Sequence, residues 1–220
     1  MTDNSRPIPS RVADPQLVEQ RRRQIVKAAV DLFVEKGFHK TTTREIAKAS
    51  GLGIGTLYEY VESKEDVLYL VCAYIHSEVK RRLDEVLHGT APGRDLLVAS
   101  IRHFFACVDE LQDYVLLIYQ ETKSLSDDRL KLVLRQEAEI TGLFAGILER
   151  GRSDGTLLLS ADSVKLFAHN IVVLGQMWTF RRWALHRIYT LEQYTEKQTS
   201  LLLQEICPAS SRPGHGKGET

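Results

Sequence analysis

The side chains that could support catalysis are scattered along this chain. Its three cysteines, Cys72, Cys107 and Cys207, are far apart and form no Cys-x-x-Cys or Cys/His metal-binding pattern, so we expect reduced thiols and no metal site. No serine-nucleophile, Walker or zinc-protease motif occurs, and the glycines of Gly51-x-Gly53-x-Gly55 have the wrong spacing for a dinucleotide-binding loop. These patterns disfavour an enzyme and predict no cofactor.

A different kind of chemistry is indicated around two short predicted helices. Thr42-x-x-Glu45 is a capping box that opens a helix to about Ser50. Gly51 breaks this helix, and a second one covers about 54–60. Two short helices joined by a glycine turn have the size of a helix-turn-helix, and helix N-termini favour phosphate.

The charge distribution agrees with a nucleic-acid partner only locally. The 220 residues are 43% apolar and 26% charged, with 29 Lys and Arg against 29 Asp and Glu. A formal net charge of zero argues against a protein that coats a polyanion. Residues 1–64, however, carry 11 basic and 8 acidic residues, and residues 65–220 carry the opposite excess of three. The basic end of the chain therefore contains the two short helices.

The elements that must position these helices are also predicted to be helical. Residues 16–36 place Ile25, Ala29 and Phe33 at helical spacing and end at Gly37, and Ser63-x-x-Asp66 opens a long helix to about Leu87. Further helices are predicted over 94–110, 113–122, 126–150, 163–186 and 191–206. Because no alternating strand pattern occurs, we predict an all-α fold of about nine helices.

This pattern predicts four segments. Residues 1–15 form a disordered arm, 16–64 a domain with the size of a helix-turn-helix, 65–207 a second helical domain, and 208–220 a disordered tail. The polar N-terminus is not a signal peptide, and no apolar run is long enough to span a bilayer. We therefore expect a cytoplasmic protein with no membrane partner.

The stretch GFHKTTTREIAKASGLGIGTLYEYVESKEDVL, residues 37–68, resembles the N-terminal DNA-binding domain of TetR/AcrR-type transcriptional regulators. The similarity rests on the Gly-aromatic pair, Thr-Thr, Glu-Ile-Ala, the turn glycine, Gly-Thr-Leu-Tyr and Ser-Lys-Glu, all in register. The rest of the chain matches the family only in helix number and length. The resemblance implies a dimer that binds double-stranded operator DNA through the helix-turn-helix domain 16–64 and responds to a small molecule. It also makes 65–207 the ligand-binding and dimerisation domain.

Docking of a helix-turn-helix places the N-terminal residues of its second helix at base edges in the major groove, here Ile54, Thr56 and Glu59. Phosphate contacts are expected from hydroxyl and cationic side chains around them, namely Thr42, Thr43, Arg44, Tyr58, Tyr60 and Lys64. The resemblance implies phosphate contacts for the positions that match Thr42, Arg44, Tyr58 and Lys64. Arg21-Arg22-Arg23 either contacts the DNA backbone or minor groove or forms a solvated charged face.

Three positions depart from the family pattern. Gly53 stands where a Ser or Thr usually caps the second helix, and Ile54 replaces a common polar residue, so it can touch a thymine methyl but cannot hydrogen-bond. Glu59 replaces a common cation and repels phosphate unless it accepts a hydrogen bond from a cytosine amino group. We therefore expect few direct base hydrogen bonds, with Thr56 and DNA shape carrying much of the specificity.

The predicted helix 163–186 has two apolar stripes. One contains Val164, Ala168 and Trp178, and the other contains Leu166 and Val173. A helix that is apolar on two faces needs two partners. We expect its own domain to cover one stripe and a second copy of the chain the other, giving a homodimer through 163–186 and 191–206. A two-fold dimer suits a palindromic operator.

The family resemblance also implies a ligand pocket between the long helix 63–87 and the helices after it. For any single candidate a plain core position is the favoured alternative to a ligand contact; the candidates are Tyr74, His103, Phe104, Cys107, Ile118, Glu121, Phe144, His169 and Trp178. Arg181 and Arg182 close an apolar helix and would suit an amphipathic anion such as a fatty acid or an acyl-CoA. The segment WTFRRWALHRIYTLEQY also resembles the end of fatty-acid-responsive family members.

Two function classes remain at this point. The first is a ligand-responsive dimeric repressor. The alternative is a helical protein-interaction adaptor, or a regulator without a small-molecule effector.

The repressor hypothesis predicts different effects for two kinds of substitution. Thr56→Ala should change the DNA sequence preference, because Thr56 faces the bases. Tyr58→Ala and Lys64→Ala should weaken binding about equally on all sequences, because phosphates carry no sequence information. Gel-shift titrations on matched and scrambled duplexes measure both effects, and an absence of any effect would contradict the docking.

Overall fold

The computed structural model describes residues 8, 10–87 and 90–207, and every regular element within them is helical. Ten α-helices follow one another: α1 (Pro15–Lys36), α2 (Thr43–Ala49), α3 (Ile54–Leu57), α4 (Lys64–Leu87), α5 (Gly93–Glu110), α6 (Gln112–Glu121), α7 (Asp127–Ser153), α8 (Val164–Phe180), α9 (Arg182–Leu185) and α10 (Leu191–Ile206). The predicted all-α class is confirmed, with one helix more in the described residues than the nine expected.

The additional helix arises because the predicted helix 163–186 is broken at Arg181, where φ is −107° and ψ is 19°. In one continuous helix, Trp178 and His186 would lie about 12 Å apart along the axis. Their rings instead stack with centroids 4.1 Å apart. The chain must turn back after α8 to make this contact. The short helix α9 lies in this turn, before α10 begins.

The second short helix is also shorter than the predicted range 54–60. Its α-helical part ends at Leu57, and the amides of Glu59 and Tyr60 donate to the carbonyls of Thr56 and Leu57 at 3.1 and 3.0 Å. These bonds to the residue three positions earlier tighten the last turn, as is common at helix ends.

Side-chain caps determine where the helices begin. Asp14 accepts from the amides of Gln16 and Leu17 and so starts α1. The predicted capping box of Thr42 and Glu45 is present at α2. At α4, the Asp66 amide donates to Ser63 Oγ at 3.0 Å, as the second capping signature predicts.

The described residues pack as two compact units. Unit 1 contains the residues up to Glu78 together with Leu111–Glu137, and unit 2 contains Val79–Glu110 and the residues from Ala138 onward. Both α4 and α7 therefore contribute one part to each unit. The functional division predicted at residue 64 is a different division, and it stays a prediction.

Part of the predicted N-terminal arm is ordered against unit 1. Ile8 is 3% exposed, and its carbonyl accepts a hydrogen bond from Arg22 Nη2 at 2.6 Å. Ser10 Oγ and the Arg11 amide both donate to the carbonyl of Glu59. Residues 1–7, residue 9 and the predicted tail 208–220 lie outside the described residues.

Aromatic side chains on α5 organise the core of unit 2. The rings of Phe104 and Phe144 meet edge to face with centroids 5.3 Å apart, and Phe105 contacts Tyr194 of α10 at 5.7 Å. On α8, a Cβ added at Gly175 would lie 2.5 Å from Phe104 Cε1. Only glycine allows α8 to approach this ring so closely.

Candidate nucleic-acid interface

The helices α2 and α3 form the predicted helix-turn-helix. They are joined by a turn in which Gly51 has φ 71°, a left-handed conformation that favours glycine, and the Leu52 amide donates to Ala47 O at 2.8 Å. Ile46 and Leu57 are completely buried and hold the two helices against unit 1. Leu57 is thereby one anchor of the recognition segment, residues 54–60.

The recognition segment presents most of the predicted base-contacting side chains outward. Ile54 is 37% exposed and Tyr58 43% exposed, Glu59 is exposed, and Thr56 is half-buried. Gly53 caps α3 without any side-chain hydrogen bond, so the cap position contributes no hydroxyl and Thr56 is the hydroxyl residue of the first turn. The surface offered to a base edge therefore consists of one isoleucine, one threonine and one carboxylate.

Two of the predicted phosphate contacts lie together. The hydroxyls of Thr43 and Tyr58 are 3.1 Å apart, so the first residue of α2 touches the end of α3. Both side chains are on the surface of unit 1, and Arg44 beside them is exposed. Two hydroxyls and a guanidinium at a helix N-terminus form a suitable phosphate site.

The hydroxyl of Thr42 is already used inside the protein. It donates to Glu45 Oε2 at 2.7 Å and accepts from the Glu45 amide at 3.3 Å. Lys36 pairs with the other oxygen of Glu45, and the hydrogen bonds from Lys36 and Thr42 lower the pKa of this carboxyl from 4.5 to about 2. Thr42 therefore begins α2 and has little capacity left for a phosphate.

Lys64 likewise has a task within unit 1. Its ammonium donates to the carbonyls of Phe38, His39 and Thr41 at 2.8, 3.2 and 2.9 Å, and it lies 4.5 Å from the centre of the Phe38 ring. Since an ammonium has three donors, these bonds satisfy it completely. The geometry makes Lys64 a residue that fixes the segment before α2, a role that the family resemblance does not indicate.

Tyr60 and the central arginine of Arg21-Arg22-Arg23 point inward. Tyr60 is buried, so its expected contact with phosphate does not fit this geometry. Its carbonyl accepts from Arg22 Nε and Nη2 at 3.2 and 3.0 Å, and burial lowers the pKa of Arg22. Arg21 and Arg23 instead bond to Gln24 and Glu19 on the surface of α1.

Comparison with known proteins decides the family. Residues 25–69, which include α2 and α3, match the sequence model described as bacterial regulatory proteins, tetR family. These residues therefore form a DNA-binding domain of the TetR/AcrR type. The HTH-type transcriptional regulator HbdR of Aromatoleum sp. (strain CIB) is 28% identical over 210 residues, which cover 96% of this chain and 91% of HbdR.

Solved structures of TetR-family proteins have the same fold. A bacterial regulatory protein in the tetR family from Rhodococcus RHA1 superposes with a TM-score of 0.75 at 22% identity, covering 86% of this chain and 98% of that one. AibR, crystallised with isovaleryl coenzyme A and operator DNA, superposes with a TM-score of 0.68 at 19% identity, covering 82% and 97%. At these identities the likeness concerns the fold alone.

The predicted effector-binding residues are divided between the two units. Tyr74, Ile118 and Glu121 belong to unit 1, where Glu121 Oε2 lies 3.7 Å from His39 Nε2 and accepts from Ser124 Oγ. Tyr74 contacts the ring of Tyr114 at 5.8 Å. Glu121 is thus close to the loop before α2 and contributes to the packing of the DNA-binding unit.

The other predicted effector residues lie in unit 2 in different environments. Four are buried, namely Phe104, Cys107, Phe144 and Trp178; His103, His169 and Arg181 are exposed, and Arg182 is half-buried. The indole of Trp178 donates to Asp109 Oδ1 at 2.6 Å, which uses its only donor. Three side chains of this set thus lie on the surface of unit 2, and a shared effector site for the set stays a prediction.

Two partly buried pairs in unit 1 were not anticipated from the sequence. Asp66 accepts from Arg129 Nη2 at 2.8 Å and from the Glu62 amide at 3.1 Å, and His76 Nε2 lies 3.0 Å from Glu137 Oε2. Each pair joins α4 to α7. The only signal in the sequence was Asp66 in its capping signature, because partners more than 60 residues away leave no local pattern.

The described part of the chain holds no group of three or more His, Cys, Asp and Glu side chains that could bind a metal ion. Its three cysteines are buried and free. Among the described helices, none combines the length and the apolar character needed to cross a membrane.

The internal bonds of Lys64 lead to a prediction about stability. Lys64→Met keeps the length of the side chain but leaves three carbonyls without their donor, so the free energy of unfolding should fall by about 1.5–3 kcal/mol. Urea denaturation measures this change, and Lys48→Met, at an exposed position of α2, is the control that should leave it unaltered. Unchanged stability together with a reduced salt dependence of DNA binding would instead indicate a phosphate contact.

Proposed function

We propose that this TetR/AcrR-family chain is a dimeric, ligand-responsive repressor that binds a palindromic operator through its recognition segment. The observation that carries the proposal is the outward presentation of Ile54, Thr56 and Glu59 beside the paired hydroxyls of Thr43 and Tyr58. Arg44 completes the phosphate contacts, while Thr42, Tyr60 and Lys64 position them. Such a protein acts on DNA in the cytoplasm.

The dimer is proposed to form through α8 and α10. The buried stripe of α8 contains Val164, Ala168 and Trp178, as the sequence predicts. On its opposite face, Leu166 and Val173 are 63% and 57% exposed although they are apolar and two helical turns apart. Leu201 of α10 is equally exposed. Exposed apolar side chains on two helices of one unit are typical of an interface between two copies of a chain.

The effector is proposed to be an apolar or acyl-type molecule, such as a fatty acid or an acyl-CoA. Support comes from the crystallisation of AibR with isovaleryl coenzyme A, and from the apolar side chains of unit 2 with Arg181 exposed where α8 ends. The effector would release the repressor by binding more tightly to the conformation that fits the operator poorly. By linkage, it must then weaken operator binding by the same factor by which the operator weakens effector binding.

The dimer interface can be tested with a substitution on its central residue. Val173→Glu should place two carboxylates in the apolar contact, so the protein should become monomeric and lose operator affinity. The matched control is Leu134→Glu on α7, where the wild-type side chain is also 57% exposed. Light scattering after gel filtration measures the mass, and a Val173→Glu protein that stays dimeric would exclude this interface.

The function itself is tested in three steps. Selection from random-sequence DNA by the purified protein should yield a palindromic duplex, whereas a protein-interaction adaptor would enrich no sequence. Native mass spectrometry then identifies any small molecule that the protein retains. Calorimetry with acyl-CoAs of different chain lengths, with coenzyme A and free fatty acids as controls, measures binding to the pocket.

The proposed effector should lower operator affinity by about 5- to 150-fold, the usual range of allosteric coupling. If acyl-CoAs and fatty acids do not bind, or bind without changing operator affinity, the acyl-type effector is wrong. The repressor assignment would still depend on the DNA selection alone.

A further inference from the structure

The described part of the N-terminal arm is fixed to the recognition segment at several points. Ile8 is buried, and Arg22 joins its carbonyl to that of Tyr60. The carbonyl of Glu59 accepts two hydrogen bonds from the arm, one from Ser10 Oγ at 3.1 Å and one from the Arg11 amide at 3.0 Å. The arm therefore packs on the C-terminal end of the recognition segment.

These bonds hold Arg11 at the tip of a small turn. Ser10 Oγ also accepts from the Val12 amide at 3.2 Å, so the chain bends around Arg11. The Arg11 side chain is exposed, and within the described residues no carboxylate pairs with its guanidinium. Its backbone position, by contrast, is set by the hydrogen bond to Glu59.

The recognition segment itself contains no cation that could bind a DNA phosphate, so any such cation must come from a neighbouring part of the chain. Glu59 is the only charged residue of the segment and would repel the DNA backbone. Two nearby cations are unsuited to offset it, because Lys64 is satisfied by three carbonyls and Arg22 is engaged with Ile8 and Tyr60. Arg11 is the cation that the backbone places next to Glu59.

We propose that Arg11 binds a phosphate of the operator beside the recognition segment and adds a DNA contact that lies outside the helix-turn-helix. The contact is favourable because the backbone of Arg11 is already ordered in the free protein, so little conformational entropy is lost on binding. A guanidinium also matches the two oxygens of a phosphate in a bidentate geometry. This inference rests on the proposed DNA-binding function.

The experiment uses the full-length protein and the duplex that it selects from random-sequence DNA. Arg11→Ala should weaken binding several-fold and reduce the slope of log K against log salt by about 0.9 for each lost phosphate contact, or about 1.8 for a dimer. Arg152→Ala removes one exposed, ion-paired arginine of unit 2 and is the matched control for the change in net charge. It should leave the slope unchanged, and both variants should keep the wild-type melting temperature.

The same substitution in a Glu59→Gln protein distinguishes a phosphate contact of Arg11 from an effect of Arg11 on the charge of Glu59. If Arg11 binds phosphate, Arg11→Ala should reduce the salt slope equally in the wild-type and in the Glu59→Gln protein. If the effect disappears in the Glu59→Gln background, Arg11 acts only on the carboxylate and the proposal is overturned. A slope that Arg11→Ala leaves unchanged also overturns it. Failure of the wild-type protein to select any duplex would refute the proposed function instead.

Discussion

The recognition segment depends on the constraint that a helix of one turn is not stable by itself. Forming the first turn fixes several residues for a single hydrogen bond, so α3 must be held by contacts from outside it. Leu57 anchors it in the core, and Arg22 and the N-terminal arm hold the carbonyls of Tyr60 and Glu59. The position of the recognition segment is therefore a property of unit 1 as a whole.

Contacts within unit 1 also reduce the number of cations in residues 1–64 that are available to bind DNA phosphates. Lys64 and Arg22 bind backbone carbonyls, and Lys36 is paired with Glu45. A cation that is engaged in this way shapes the interface but releases no counterions from DNA. The proposed operator binding would then rely on a few exposed cations, such as Arg44, and on doubling of the surface in the proposed dimer.

In unit 2, one close approach organises the packing. Gly175 lets α8 lie directly against Phe104, and this places Trp178 where its indole reaches Asp109 and its ring stacks on His186. The inner face of α8 is thus filled by its own unit, and its outer face keeps Leu166 and Val173 exposed. An apolar outer face that its own unit does not cover is the physical basis for proposing a second copy as its partner.

The sequence by itself determined the helical class, the helix-turn-helix and most helix boundaries, because these depend on signals within a few residues. Capping residues such as Thr42 and Ser63, the turn glycine Gly51 and the spacing of apolar residues are all of this kind. The two stripes of α8 also followed from periodicity, since each stripe needs only the residues of one helix.

Only the tertiary structure decided which polar side chains remain available at the surface. Lys64 lies more than 20 residues from the carbonyls it binds, Arg22 lies 38 residues from Tyr60, and Asp66 lies 63 from Arg129. The break at Arg181 was also visible only in the structure, where the chain reverses and the ring of Trp178 stacks on that of His186. Hydrogen bonds and ring contacts form between groups that are a few ångströms apart in space, however far apart they are along the chain. A local sequence pattern therefore does not predict them.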